Sequence, residues 1–214
     1  MKVDIETKRQ GIHILMGFSA FLLKYLEIWQ LIGLSFSALF FIILILPKIS
    51  KFGFRDEDVS KGYPIGGVFY TFSIILSLLI FPLYIAGAAW IIMAFGDGTS
   101  TLIGKHYGKR NLFWNKKKSY IGFVSFILFA WIGSVAIIFW LSDLSPMPWW
   151  TAFEIFPENH LAFLFLIDRG QIIITCFLTS LFCAVIESLP IKINDNLTVP
   201  ILGSLFMFFT VLII

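Results

Sequence analysis

The sequence predicts an all-α, polytopic membrane bundle of about seven transmembrane helices with a basic cytoplasmic loop. Three observations carry that expectation. The chain is 58% hydrophobic and only 14% charged, with a mean hydropathy of +0.90, whereas soluble chains are near half apolar and a quarter charged. Apolar runs close to the ~20 residues that cross a hydrocarbon core recur along it. The cations are bunched: 14 of the 16 Lys and Arg fall in four segments, 1–9, 47–65, 96–118 and 188–197, separated by apolar stretches. No polar linker is long enough to divide the chain, so residues 1–214 read as one transmembrane domain.

Residues 1–9 are polar and start a helix or lie at the interface. No cleavable leader is expected, because the apolar run that follows leads straight into another. Residues 11–26 come close to spanning. Arg9, His13 and Gly17 recur every four residues and share one helix face. A histidine one turn inside a membrane helix needs a partner, either a packed neighbour or a ligand. Residues 28–46 are the cleanest span, closed by Pro47, and 48–63 form a mixed-charge loop. The segment 62–67, GYPIGG, opens the next helix. Pro64 suits a first turn, and Gly66 and Gly67 either permit close packing or bare the backbone to a ligand.

Residues 68–95 are 28 apolar residues interrupted by Pro82, which fit two helices meeting there better than one rod. Six cations at about 2.5–3.5 kcal/mol each keep 96–118 out of the bilayer core. Residues 119–141 span. The segment 142–160 holds Asp143, Glu154 and Glu158 but no cation, and Trp149 and Trp150 suit an interfacial belt. Residues 161–167 are short and apolar, re-entrant or interfacial. Residues 171–186 span, with Cys176 and Cys183 on one face as packing residues. A turn-like loop over 187–196 precedes the last span, 197–214. Only Lys24 and Arg169 fall on the cation-poor side, so the other side, with the N-terminus, is cytoplasmic by the positive-inside asymmetry. A net charge of +3 does not argue for nucleic acid.

The most polar stretch is 96–122, GDGTSTLIGKHYGKRNLFWNKKKSYIG. It gathers Lys105, Lys109, Arg110, Lys116, Lys117 and Lys118, glycines Gly96, Gly98, Gly104 and Gly108, and hydroxyls on Thr99, Ser100, Thr101 and Ser119. Freed backbone N–H groups, hydroxyls and clustered ammonium groups suit a triphosphate. The lone carboxylate, Asp97, suits Mg²⁺ beside phosphates. If the segment is helical, Asp97, Thr101, Lys105 and Lys109 form a polar stripe, and Ser100, Gly104 and Gly108 a parallel small-residue packing stripe. Asp195 and Asn196 sit at the start of another helix on the same side, near Glu187. The plainer alternative is that the basic segment only attracts anionic head groups, at about 1 kcal/mol per cation.

In these residues the chain resembles the CTP-dependent polyprenol kinases: dolichol kinase, phytol kinase and the CTP-dependent diacylglycerol kinases. The matching pieces run in order from Arg9 and His13, through Pro64-x-Gly66-Gly67-x-x-Tyr70 and Gly96-Asp97 with Gly104 and Gly108-Lys109. They continue through Asn115-Lys116-Lys117-Lys118-Ser119-x-x-Gly122 to Glu187 and Asp195-Asn196-Leu-Thr-Val-Pro200. The pattern departs at Ile121, where an acidic residue is expected. The resemblance implies transfer of the γ-phosphate of a nucleoside triphosphate, CTP, to the hydroxyl of a membrane lipid alcohol. It implies Asp97 and Asp195 as metal-binding or hydroxyl-positioning groups, with Asn196 and Glu187 as further ligands. Lys105, Lys109, Lys116, Lys117 and Lys118 would neutralise the triphosphate, with Gly66, Gly67, Gly96, Gly98, Asn115 and Ser119 completing its site. Arg9 and His13 would face the same pocket, with His13 deprotonating the alcohol or orienting a phosphate. A phospholipid cytidylyltransferase, distinguished by pyrophosphate release, and a non-catalytic transporter or lipid-binding protein are the alternatives.

Overall fold

The computed structural model describes residues 4–51, 53–142, 168–191 and 193–213. Regular structure there is helical, apart from one isolated bridge between Asn111 and Ser119. The expectations for Asp143, Trp149, Trp150, Glu154, Glu158, Lys192 and residues 161–167 fall outside the described residues.

Helix α1 (Ile5–Phe18) is capped by Asp4, whose carboxylate accepts from the Thr7 amide at 2.9 Å. The first apolar run is not one continuous α-helix: α1 gives way to a 3₁₀ turn, Ser19–Lys24. Helix α2 (Ile28–Ile49) runs through Pro47 instead of stopping there. A π-type turn, Phe41–Ile45, is separated from the proline by Leu46, and its wider backbone absorbs the missing N–H. A short helix α3 (Asp56–Lys61) forms within the expected loop and ends at Gly62, whose φ of +82° is left-handed. Helix α4 (Ile65–Ile80) stops at the Phe81–Pro82 break the sequence anticipates. Helix α5 (Leu83–Ile91) passes through a second π-type turn, Ile92–Asp97, into α6 (Gly98–Tyr107). Then follow α7 (Tyr120–Trp140), α8 (Arg169–Ser188) and α9 (Asp195–Ile213).

Against about seven expected spans, four of the described helices, α2, α7, α8 and α9, are each long and apolar enough to cross a membrane, and α4 is a shorter apolar helix. Every residue from 85 to 94 is buried. A helix apolar on all faces must be covered on all faces, and α1, α4, α7 and α9 pack around this central one. The outer helices pack in series, α2 on α4, α4 on α9, α9 on α8 and α8 on α7. Cys176 and Cys183 are buried free thiols in this core, as expected of packing residues. At the end where α1 and α7 finish, Lys24 lies 4.8 Å over the Trp140 ring, and Trp140 donates to the Phe21 carbonyl. That is an interfacial arrangement. The polar residues collect at the opposite end.

Candidate active site

The central helix delivers a carboxylate. Asp97 closes its π-type turn and is 7% exposed. Glu187 comes from the last turn of α8, which runs through it to Ser188, so it is helical and not in the expected loop. Asp195 is the first residue of α9. One oxygen from each of the three lies within 4.8 Å of the others. Such crowding of like charges away from water is unfavourable without cations. One is Lys118, whose ammonium donates to Glu187 Oε1. Burial opposes its charge, but Glu187 and then Asp97 outweigh burial and hold its pKa above the ordinary lysine value. Three carboxylates against one ammonium leave a deficit of positive charge, and hard oxygen donors from three helix ends fit a Mg²⁺ ion.

A cavity of about 440 Å³ adjoins the cluster. On the α1 side, Glu6 accepts from Arg9 at 2.9 Å, Arg55 at 3.0 Å and Gln10 at 3.0 Å, so one acid aims two guanidinium groups along the wall. Burial would raise the Glu6 pKa, but Arg9 and Arg55 lower it overall. Asp58 accepts from the Arg55 and Ile65 amides, both at 2.9 Å, and pins the turn into α4. There the Asn196 side chain donates to the Gly66 carbonyl at 3.1 Å. A Cβ on Gly66 would stand 2.9 Å from Asn196 Nδ2 and 3.2 Å from the Arg9 guanidinium, so glycine is required by this close approach.

The floor is α6. Asp97, Ser100, Thr101, Gly104 and Lys105 all line the cavity. Lys105 pairs with Asp4 at 2.8 Å, and that bond, aided by the Thr7 amide, lowers the Asp4 carboxyl to about 2. The basic segment 108–119 folds back as a hairpin-like loop, with Leu112 donating to the Lys118 carbonyl and Tyr120 to that of Arg110. Trp114 Nε1 donates to Ser188 Oγ and Asn115 Nδ2 to the Ser188 carbonyl, each at 3.0 Å, which docks the loop on the end of α8. This brings Lys117, Lys118 and Ser119 to the cavity. Ser119 also caps α7 by accepting from the Gly122 amide.

Several anticipated residues stand elsewhere. Gly96 abuts the Phe126 ring, 2.8 Å from where a Cβ would be, and Gly98 abuts Ile14. Both are buried helical packing positions, not bared donors. The polar stripe holds for Asp97, Thr101 and Lys105 but loses Lys109, because α6 ends at Tyr107. Lys109 and Lys116 are exposed and do not line the cavity, and Asn115 is a clamp for the loop. Gly67 faces α2, near Ile42 and Pro64. Ile121 is 42% exposed on the outer face of α7, so the departure there does not touch the site. The small-residue stripe behaves as a packing surface: Gly104 and Gly122 meet where α6 crosses α7.

His13 adds a base. Its Nε2 lies 3.9 Å from Asp97 Oδ2 and has no hydrogen-bond partner, while its ring packs on Tyr70 at 4.5 Å. Sequence reasoning misses Glu6, Gln10, Arg55 and Asp58. The spacing of Glu6 to Arg9 and Gln10, three and four residues, is the local signal that could have found the first two.

The arrangement suits a divalent cation at the three carboxylates, offers cations and hydroxyls to phosphate oxygens, and sets an imidazole beside Asp97. The chain is 25% identical to a probable phytol kinase 1, chloroplastic, of Glycine max over 224 aligned positions, covering 94% of this chain and 66% of that protein. It is 25% identical to phytol kinase 1, chloroplastic, of Arabidopsis thaliana over 166 positions, covering 74% and 46%. It is 26% identical to the farnesol kinase, chloroplastic, of the same plant over 164 positions, covering 75% and 46%. The chain therefore spans about half to two thirds of the length of these relatives. No family model and no solved structure matches it.

Proposed function

We propose that the chain is a member of the polyprenol kinase family, on its likeness to phytol and farnesol kinases, and that it phosphorylates a membrane lipid alcohol from a nucleoside triphosphate. The observation that carries the reading is the convergence of Asp97, Glu187 and Asp195 from three helix ends onto a cavity walled by Arg9, Arg55, Lys105, Lys117 and Lys118. Phosphoryl transfer is mostly positioning and charge neutralisation, and these groups supply both.

Asp97, Asp195 and Glu187 would hold Mg²⁺, which when bound shields phosphate charge and orients the chain of phosphates. Arg9, Arg55, Lys105 and Lys117 neutralise the remaining oxygens, and the hydroxyls of Ser100, Thr101 and Ser119 donate to them. His13 Nε2 accepts the proton of the lipid hydroxyl. The alcohol oxygen bonds to the γ-phosphorus as the bond from that phosphorus to the β–γ bridging oxygen breaks, and a nucleoside diphosphate leaves. CTP is the donor that the resemblance implies. The four long helices, with α1, α4 and the central helix crossing beside them, make about seven crossings, and the cation-rich end that holds the site is the cytoplasmic one.

The test uses purified protein with γ-labelled CTP, ATP, GTP or UTP and phytol, farnesol, dolichol or diacylglycerol. Label in a prenol, with nucleoside diphosphate released, is expected. Label in no alcohol, or release of pyrophosphate, overturns the reading.

A further inference from the structure

A second cavity, of about 520 Å³, lies between α1, α2 and α4, within the size range of small-molecule sites. Its body is apolar, walled by Ile12, Met16, Ala38, Phe41, Ile42 and Tyr70. One end is polar, and Arg9, Gln10, Gly66, Asp97 and Asn196 there also line the phosphate-sized cavity. The two cavities thus share a wall, and the shared wall carries the carboxylate assigned to catalysis.

Three features say what fits. At the polar end His13 Nε2 and Gln10 Oε1 lack hydrogen-bond partners, and Asp97 lies beside them. Both can accept, and an alcohol O–H would donate to His13 Nε2. The apolar body excludes a charged ligand, since burying charge there would be uncompensated. The cavity also opens towards lipid. Met16 and Phe41 are 39% and 43% exposed, and α2, its side wall, buries only 17% of its apolar window, against 39–44% for the other three long helices.

We propose that this cavity is the seat of the acceptor's hydrocarbon chain. The alcohol enters sideways from the bilayer between α1 and α2, lays its chain along Ala38, Phe41 and Ile42, and presents its hydroxyl between His13 and Asp97. The nucleotide enters from water on the other side of the shared wall. The inference rests on the kinase reading for its occupant and deepens it by naming the chain-binding residues.

The test combines a chain-length comparison with direct mapping. Ala38→Trp fills the apolar body away from the polar end, whereas Leu34→Trp lies on the exposed outer face of α2. With Ala38→Trp, kcat/KM for a twenty-carbon prenol should fall at least ~10-fold, while that for a five-carbon prenol stays within ~2-fold. Leu34→Trp should change neither. Retained turnover of the short alcohol also shows that the variant folds. Independently, a diazirine-bearing prenol irradiated with the wild-type protein in bilayer nanodiscs should label Ile12, Met16 or Ile42. Equal losses for both alcohols, no loss for either, or labelling confined to Leu34, Phe36 and Phe40 overturns the proposal. If the wild type phosphorylates no alcohol, the kinase reading fails while the labelling still decides the cavity. If it phosphorylates but labels on the outer face, the kinase reading stands and this one falls.

Discussion

His13 Nε2 stands 3.9 Å from Asp97 Oδ2, too far to bond it and near enough for one oxygen atom to touch both. An imidazole and a carboxylate from two different helices, α1 and the end of the central helix, thereby flank one oxygen-sized position.

Replacing His13 with Gln should remove the proton acceptor and little else. We expect kcat to fall by about 10²–10⁴-fold, with nucleotide affinity within a few-fold of wild type. Single-turnover kinetics beside equilibrium nucleotide binding would check this split.

Turnover should stop in EDTA and return with Mg²⁺. Asp97→Asn and Asp195→Asn should each raise the Mg²⁺ concentration for half-maximal rate by at least ~10-fold and lower the maximal rate further. Normal Mg²⁺ dependence in both variants would remove them from the metal site.

Lys118→Met should leave Glu187 buried beside two other carboxylates. Breaking a buried pair costs about 3–5 kcal/mol, discounted here to about 1–3 kcal/mol because the Lys118 side chain is 32% exposed. Melting in detergent should show the loss, and Mg²⁺ or the added change Glu187→Gln should recover part of it. The raised lysine pKa means that this contribution is complete below its ordinary value of 10.5 and fades only as pH climbs past it. The variant's deficit should therefore be flat between neutrality and mild alkali.

The lysines should separate into two classes. Lys105→Ala and Lys117→Ala, at the cavity wall, should each raise the nucleotide KM by about 10-fold, the worth of a charge-assisted contact. Lys109→Ala with Lys116→Ala, outside it, should shift KM by less than ~2-fold. Steady-state kinetics on the four variants decides.

Gly122→Ala should weaken the crossing of α6 over α7. Its new methyl would sit 2.8 Å from the Ser100 carbonyl, an overpacking worth about 1–3 kcal/mol. A lower melting temperature together with reduced turnover is expected, since Ser100 also lines the cavity.

Much of the site is legible in the chain because its signals are local. Asp97 and Asp195 stand where apolar runs meet polar segments, and Lys105 repeats with Asp97 at helical spacing. The rest depends on where helices stop and what they touch. Lys109 shares the spacing but lies beyond Tyr107, where Gly108 turns to an extended backbone. Glu187 belongs to α8 because the helix runs two residues past Ile186, to Ser188. Gly96 and Gly98 look the same whether they serve a phosphate or a neighbour, and only Phe126 and Ile14, distant in sequence, decide between those uses. The Glu6–Arg55 pair joins residues 49 apart, for which no periodicity speaks.

The π-type turn at Ile92–Asp97 sets the bearing of the active end separately from the bundle below it. Such a turn spends one residue more than an ordinary α-helix over nearly the same rotation, so the same six residues wound as α-helix would swing the segment above by about 100° about the axis. Asp97 would leave Glu187 and Asp195, and the shelf of Ser100, Thr101 and Lys105 would turn away with it. The extra residue is what keeps that carboxylate over the cavity, and removing it together with the wide turn should leave the bearing nearly as it is.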